Sequence, residues 1–455
     1  MMGLSLSQVA QWTDGVLLQG VPGKVLSSVS TDSRKISQDQ LFVALKGDRF
    51  DAHDYIGEVG DAGAAGMMVS ELNRATERYE GAIIHVKDSL KALQNLAFHH
   101  RQNSPDLFVV GVTGSNGKTS TKDFLGAVLS EGGQVVQTAG NLNNHIGLPL
   151  TILSGAGDEK FGVWEMGMNH PGEIEVLAEI ARPNAAVITH IGRAHIEYMK
   201  TREAIAAEKC ELALAVPSDG YCVMPVNDDY FGFVSDRVSC EMISVGICEG
   251  DIRAENVRSG SGGVTRFELH SKYGAAAEVC LSVKGQHMIV NALLAAAVGL
   301  RHGISQEQIA SQLSSVELTG GRLQERHVGG FCFIDDSYNA NPDSMLAALE
   351  TVRNMDVTGR RVAVLGFMGE LGDHEEAEYA KLGASLAGNC VDALVTVGDR
   401  AALINSEARE LNENHNFSSH REAAEFLESY LTPDDLVLVK GSRGAAMEKV
   451  IENVK

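Results

Sequence analysis

Residues 107–120 read LFVVGVTGSNGKTS, and the fold of the chain is decided there. LFVVGVT has the β-branched and aromatic composition of a buried strand, and TKDFLGAVLS, which follows at 121–130, has the i, i+3, i+4 apolar spacing of a helix. The glycines therefore fall at a strand-to-helix turn. At such a turn the first free N–H groups of the helix carry partial positive charge, and residues without a Cβ let a polyphosphate approach the backbone. Lys118 then reaches terminal phosphates and Thr119 offers a hydroxyl to Mg²⁺, with Gly114, Ser115, Asn116, Gly117 and Ser120 completing the cradle. A bare GKT also arises by chance, and the general pattern wants glycine where this chain has Val112. The loop reads as a variant P-loop, and its expected ligand is ATP with Mg²⁺.

The whole chain sets bounds on what surrounds this loop. Its 455 residues suffice for about three domains. Lys+Arg of 38 against Asp+Glu of 60 leaves a net charge of −22 with no basic tract, which argues against a nucleic-acid or anionic-membrane partner. Cysteines at 210, 222, 240, 248, 280, 332 and 390 form no C-x-x-C pair, so neither a disulfide framework nor a zinc cluster is expected, and a reducing cytoplasm fits. MMGLSLSQVAQWTDG has no basic leader or long apolar core, and no run of ~18 apolar residues follows, so the expectation is a soluble, unexported protein; a monomer is the default expectation, which no sequence feature fixes.

Strand-like and helical segments alternate along the chain, predicting a three-domain α/β protein. Residues 1–86 form a small N-terminal α/β domain, 87–315 a central P-loop ATPase domain with a mainly parallel sheet, and 316–455 a C-terminal Rossmann-like domain. Within the central domain, 220–285 read as short strands with Gly/Ser turns, an antiparallel insert, and a helix from about His287 to His302 closes the domain.

In open α/β sheets ligands gather beyond the carboxyl ends of strands. FGVW ends in Glu165, a hard oxygen ligand suited to magnesium beside the P-loop. His190 and His195 follow another strand, but their spacing is no zinc motif and a lone histidine is more often structural. Lys209, in AAEKCEL, reads by itself as a solvated helix lysine. GNLNNHIGLPLTI places three asparagines before an apolar run, as a polar binding loop does, although Asn-rich turns are also common without function. In the C-terminal part, Asp335 and Asp336 end a strand where an acid can bind ribose hydroxyls, and KGSRG supplies Lys440 and Arg443 for anionic oxygens.

Taken in order from 113 to 448, TGSNGKTS, GNLNNHIGLP, EMGMNHPGEI, ITHIGRAHIE, AEKCEL, GQHMIVNALLAA, DDSYNANPDSM, LGFMGELG and KGSRGAAME resemble the Mur ligase family, ATP-dependent amide-forming enzymes of peptidoglycan precursor synthesis. TDSRKISQDQLFVALKGDRFDAHDYI resembles the family's N-terminal UDP-sugar domain. DDSYNANP, the MGELG-type turn and KGSRGAAME are most similar to members that join D-alanyl-D-alanine to UDP-N-acetylmuramoyl-tripeptide, which implies those two substrates as partners. The resemblance implies Thr119 and Glu165 at the ATP magnesium, His195 at a second metal, and Lys209 as a lysine that takes up CO₂ as a carbamate. It further implies Asn291 at adenine, Asp336 at ribose, Arg322 and Lys440 near phosphates, and Ser33 and Arg34 at the UDP-sugar. Asn144, Asn339 and Arg443 are the remaining expected substrate contacts. Phe367 departs from the family's LGDMxELG, which removes any acid role from that position.

The chemistry implied is attack of the tripeptide carboxylate on the γ-phosphate, then of the dipeptide amine on the resulting acyl phosphate. Lys118 and the metals would stabilise the charge that builds up. Water destroys an acyl phosphate, so the C-terminal domain is expected to close over the site. Three alternatives remain. A sister ligase adding meso-diaminopimelate or lysine is the nearest rival, and its diaminopimelate-adding members carry DNPR, absent here; a folylpolyglutamate synthase would lack the N-terminal domain; a non-catalytic nucleotide-binding protein would have no use for Glu165, His195 and Lys209 together.

Overall fold

In the computed structural model, residues 3–259, 264–386, 391–408 and 411–455 are described; Cys390 lies outside them. Three sheets organise these residues. The N-terminal sheet has five strands, in the order Val16–Gln19, Ala82–His85, Gly66–Val69, Gln40–Val43 and Ser28–Ser30, antiparallel only at its first pair.

The central sheet has nine strands, and its middle is Ala185–Ile188, Phe108–Thr113 and Phe161–Glu165, all parallel. These are continuous apolar runs because helices cover both faces. Phe161 and Trp164 on one of them are fully buried, each contributing roughly 1.5–3 kcal/mol of apolar burial. Helices Lys118–Ser130 and Gln286–Arg301 pack together on one face, and Arg202–Leu214 lies against Glu173–Ala181.

The antiparallel insert expected over 220–285 is smaller than the sequence suggested. Tyr221–Pro225 and Glu241–Ile247 extend the parallel sheet, and antiparallel pairing begins where Ile252–Ser259 meets Thr265–Ser271. Between the first two strands the short helix Phe231–Ser235 forms a crossover, which returns the chain in the same direction. Tyr221–Met224 are buried, as strands of a covered parallel sheet are. A helix at Gln306–Ser315, which the sequence reading passed over, follows Gln286–Arg301; its start is marked by a capping box between Ser305 and Gln308.

The C-terminal sheet runs Gln324–Val328, Phe331–Asp336, Leu436–Lys440, Arg361–Leu365, Ala393–Val397 and Glu413–Phe417, parallel after its antiparallel first pair. Its helix Pro342–Arg353 starts at Asn341, whose side chain accepts from the Ser344 N–H while proline occupies the first turn. That start faces the P-loop. No helix among the described residues is long and apolar enough to cross a membrane.

Candidate active site

The strand Phe108–Thr113 delivers the loop to the carboxyl edge of the central sheet, and two glycines shape it. Gly117 has φ 83°, caps the helix Lys118–Ser130 with no side-chain partner, and has Asn291 Oδ1 2.6 Å from where a Cβ would stand. Gly114 has φ 151°, and a Cβ there would collide with Thr189 Oγ1. The helix's first N–H groups are thus left open to a ligand, the arrangement that anions favour. Lys118 Nζ donates to Gly114 O at 2.7 Å, curled over its own loop. Burial pushes the Lys118 pKa down and Arg322 adds repulsion, while Glu165 and Glu370 oppose both.

Behind the lysine, Thr119 Oγ1 donates to Glu165 Oε2 at 2.9 Å and accepts from Arg322 Nη2 at 2.8 Å. Arg322 also lies over the Tyr338 ring at 4.1 Å, and its Nε is buried without a partner. Glu165 Oε1 accepts from Asn143 Nδ2 at 2.8 Å. Two hard oxygens, Thr119 Oγ1 and a carboxylate, beside an open helix N-terminus and an incompletely paired guanidinium form a donor set that fits Mg²⁺ and polyphosphate. Asn143 was missed by the sequence reading. Among Asn141, Asn143 and Asn144 nothing local distinguishes the one that reaches the carboxylate; Asn144 Oδ1 instead accepts from the Ile146 and Gly147 N–H groups at 3.1 and 2.9 Å while still lining the cavity.

A second group lies beside the first. His195 (φ 63°) precedes the short helix Ile196–Met199, and its Nδ1 is 2.5 Å from Glu370 Oε2 of the C-terminal domain. Burial pushes the His195 pKa down, and the cations Lys118 and Lys209 add to that against Glu370. Lys209 is 1 % exposed, so the solvated-lysine reading of its helix does not hold. Burial drives its pKa well down and the Lys118 charge drives it further, with Glu208 opposing. Glu208 is itself engaged by the N–H groups of Gly172 and Ile174, both at 2.8 Å. His190 pairs with the buried Asp228 at 2.9 Å, and both residues line the cavity.

From the C-terminal domain, Lys440 Nζ reaches Asp336 Oδ2 at 2.5 Å and Asn339 O at 3.0 Å. Asp335 turns away to Arg326 at 3.0 Å and to Ser337, so only Asp336 of the acid pair lines the cavity. Arg443 is not brought in: its exposed guanidinium pairs with Glu448 at 2.9 Å, and only its backbone N–H meets Asn339 Oδ1, at 3.3 Å. Ser33 and Arg34 stand on the N-terminal domain outside this cavity, with the Arg34 guanidinium 2.9 Å from Asp32 and 84 % exposed. Phe367 lies under the Arg400 guanidinium at 4.6 Å, and its carbonyl accepts from the Ser442 N–H; the turn works through backbone there and needs no acid.

A cavity of about 720 Å³ between the central and C-terminal domains is lined by Ser115 to Ser120, Glu165, His195, Asn291, Arg322, Asp336, Asn339 and Lys440, while Lys209 and Glu370 are not part of its lining. The domains meet around it. Arg193 N–H donates to Asp343 Oδ2 at 2.7 Å, and its guanidinium pairs with the buried Glu378 at 3.1 Å. No sequence signal marks these three residues, because their pairing spans 150 to 185 positions.

A variant P-loop beside a strand-end carboxylate, covered by a second α/β domain, is the arrangement of a nucleotide-dependent enzyme site, and comparison with known proteins gives its lineage. The Mur ligase family catalytic domain matches residues 25–101, the Mur ligase middle domain 112–299, and the Mur ligase glutamate ligase domain 321–443. The chain belongs to the Mur ligase family. It is 36% identical to the UDP-N-acetylmuramoyl-tripeptide--D-alanyl-D-alanine ligase of Bacillus subtilis over 94% of this chain and 93% of that one. It is also 36% identical to the enzyme of the same name from Escherichia coli K12, over 99% and 98%. Among solved structures, MurF from Acinetobacter baumannii superposes with a TM-score of 0.90 at 33% identity, covering 99% of this chain and 98% of that one. MurF ligase from Thermotoga maritima in complex with ADP gives 0.83 at 29% identity, covering 94% and 96%.

Proposed function

We propose that this ligase joins D-alanyl-D-alanine to the terminal carboxylate of UDP-N-acetylmuramoyl-tripeptide at the expense of ATP, completing a pentapeptide precursor of peptidoglycan in the cytoplasm. The observation that carries the reading is the joint enclosure of one cavity by Lys118, Thr119 and Glu165 from the central domain and Asp336 and Lys440 from the C-terminal domain, in a chain similar over nearly its whole length to ligases of that name.

Lys118 leaves its own loop carbonyl and meets the transferring phosphate, where its charge offsets the anions brought together. Asn291 flanks Gly117 at the base of the loop and suits the adenine end, and Asp336, held by Lys440, presents carboxylate oxygen to ribose hydroxyls. Thr119 and Glu165 would hold Mg²⁺, which when bound supplies charge neutralisation at the phosphates; His195 and a carbamate on Lys209 would hold a second ion. The tripeptide carboxylate takes the γ-phosphoryl group of ATP, with ADP as leaving group, under the roof made by Glu370, Asn341 and Asp343, which keeps water from the acyl phosphate until the dipeptide amine attacks its acyl carbon and inorganic phosphate leaves. Ser33 and Arg34, outside this cavity and with the exposed Arg34 guanidinium paired to Asp32, would hold the UDP-sugar end of a long substrate.

The test is phosphate release by purified protein with ATP, Mg²⁺ and UDP-N-acetylmuramoyl-tripeptide. D-alanyl-D-alanine should stimulate it and yield the pentapeptide product, whereas a diamino acid offered with the dipeptide precursor should not. Stimulation by the diamino acid alone would overturn the reading.

A further inference from the structure

Away from the cavity, the hairpin that opens the C-terminal sheet carries three donors of different chemistry on one face. Glu325 and His327 are two residues apart on the edge strand Gln324–Val328, so they point the same way, and His327 sits directly opposite Cys332 of the neighbouring antiparallel strand. A ligand atom from each, Glu325 carboxylate oxygen, His327 ring nitrogen and Cys332 Sγ, lies within 4.8 Å of the other two. We propose that Glu325, His327 and Cys332 form a surface site for a divalent cation of the zinc class, separate from the nucleotide cavity.

Two of the three donors already have the spacing such an ion needs, and the sulfur stands within 4.8 Å of both. His327 Nε2 and Glu325 Oε1 are 3.2 Å apart. A tetrahedral ion with metal–nitrogen and metal–oxygen bonds of about 2.0–2.2 Å places two ligand atoms about 3.3 Å apart. The donor set of thiolate, imidazole and carboxylate selects zinc and its borderline neighbours over calcium or magnesium, which want oxygen. Glu325 also has an outer support: its second oxygen, Oε2, accepts from Lys284 Nζ at 2.9 Å, which leaves Oε1 for the metal. Metal-ligating carboxylates are commonly held in this way. Three protein ligands leave a fourth position for water. On binding, the Cys332 sulfur–hydrogen bond gives way to a sulfur–metal bond and the proton passes to solvent.

Lys284 precedes the helix Gln286–Arg301 of the central domain, whereas the hairpin belongs to the C-terminal sheet and its second strand ends at Asp336 in the nucleotide cavity. An ion there would therefore stiffen the edge strand at the junction that positions Asp336.

The experiment uses untagged, reduced, full-length protein titrated with Co²⁺ in the absence of nucleotide. A thiolate-to-cobalt charge-transfer band should develop at one equivalent and be displaced by Zn²⁺. Cys332→Ser should abolish the band, His327→Ala should weaken cobalt binding at least roughly tenfold, and Lys284→Met about tenfold through its outer contact. Cys248→Ser, which removes an exposed thiol elsewhere, should leave the titration unchanged. His327 is on the exposed edge, so its variant keeps the fold and the test stands without the cysteine variant. Absence of the band, or its persistence in Cys332→Ser, overturns the proposal.

Discussion

The side-chain amides of Asn116 and Asn341 face one another across the domain boundary: Asn341 Nδ2 donates to Asn116 Oδ1 at 2.8 Å, and Asn116 Nδ2 donates back to Asn341 Oδ1 at 3.3 Å. Asn116 lies in the phosphate loop, and Asn341 starts the first helix after the strand that ends in Asp336. Closure of the roof and the shape of the loop are therefore linked through one pair of amides.

Asn341 does two jobs, and two substitutions separate them. Serine caps a helix about as well as asparagine but is too short to reach Asn116. Asn341→Ser should lower the melting temperature less than Asn341→Ala does, and lower kcat/KM roughly tenfold, equivalent to about 1.4 kcal/mol, through the lost interdomain hydrogen bonding. Asn341→Ala should show the same kinetic loss and in addition destabilise the protein by about 1 kcal/mol. Equal stability of the two variants would show that the cap is not what Asn341 supplies to folding.

Lys118→Met retains the stem of the side chain and removes its charge. The ammonium is disfavoured in the folded protein by burial and by Arg322, so its removal should not lower the melting temperature. Turnover should fall at least about 10³-fold, because charge at the transferring phosphate is then uncompensated. Turnover near the original rate in the folded variant would remove the lysine from the chemistry.

Lys209 has the environment that reaction with CO₂ requires. A lysine with its ordinary pKa of roughly 10.4 is almost wholly cationic at neutral pH and unreactive, but burial and the Lys118 charge favour the neutral amine here. Lys209→Ala should lose most activity, and part should return with added short-chain carboxylic acid, which restores the missing anion. Bicarbonate depletion should slow the original enzyme and leave the rescued variant unaffected. Full activity of Lys209→Ala would exclude a carbamate.

A pH dependence of stability should arise at His302. Its ring lies edge-on to Phe108 and Phe161, with centroids at 4.3 and 4.9 Å, and burial pushes its pKa down to about 4 with help from Lys160 and Arg301. In the unfolded chain the value is roughly 6.5. Between these values the unfolded state binds the extra proton, so stability is fully present above about 6.5 and is lost as pH falls towards 4. Melting temperatures measured across that range should decline less steeply in His302→Gln than in the original protein; parallel curves would assign the acid loss elsewhere.

Much of this protein was legible in one dimension. The run LFVVGVTGSNGKTS dictates strand, phosphate loop and helix through contacts within a few residues, and Glu165 and Asp336 were found because strand ends in parallel sheets are where ligands gather. Local rules were weaker where pairing direction mattered: the crossover through Phe231–Ser235 made Tyr221–Pro225 and Glu241–Ile247 parallel, a relation set by three-dimensional packing of apolar faces.

The environment of single side chains was decided only by tertiary structure. AAEKCEL places Lys209 on a helix among acids, and nothing in it shows that packing removes the lysine from water and sets it near the Lys118 charge. KGSRG offers Lys440 and Arg443 alike, yet one meets Asp336 in the cavity and the other meets Glu448 in solvent. Asn143 rather than its neighbour reaches Glu165, and Arg193, Asp343 and Glu378 acquire their roles only when two domains meet. The sequence by itself determined which residues could bind phosphate, metal and sugar, since that depends on covalent structure and local backbone geometry. Which of them stand together was left to the fold, because desolvation and charge–charge coupling depend on distances between residues far apart in the chain.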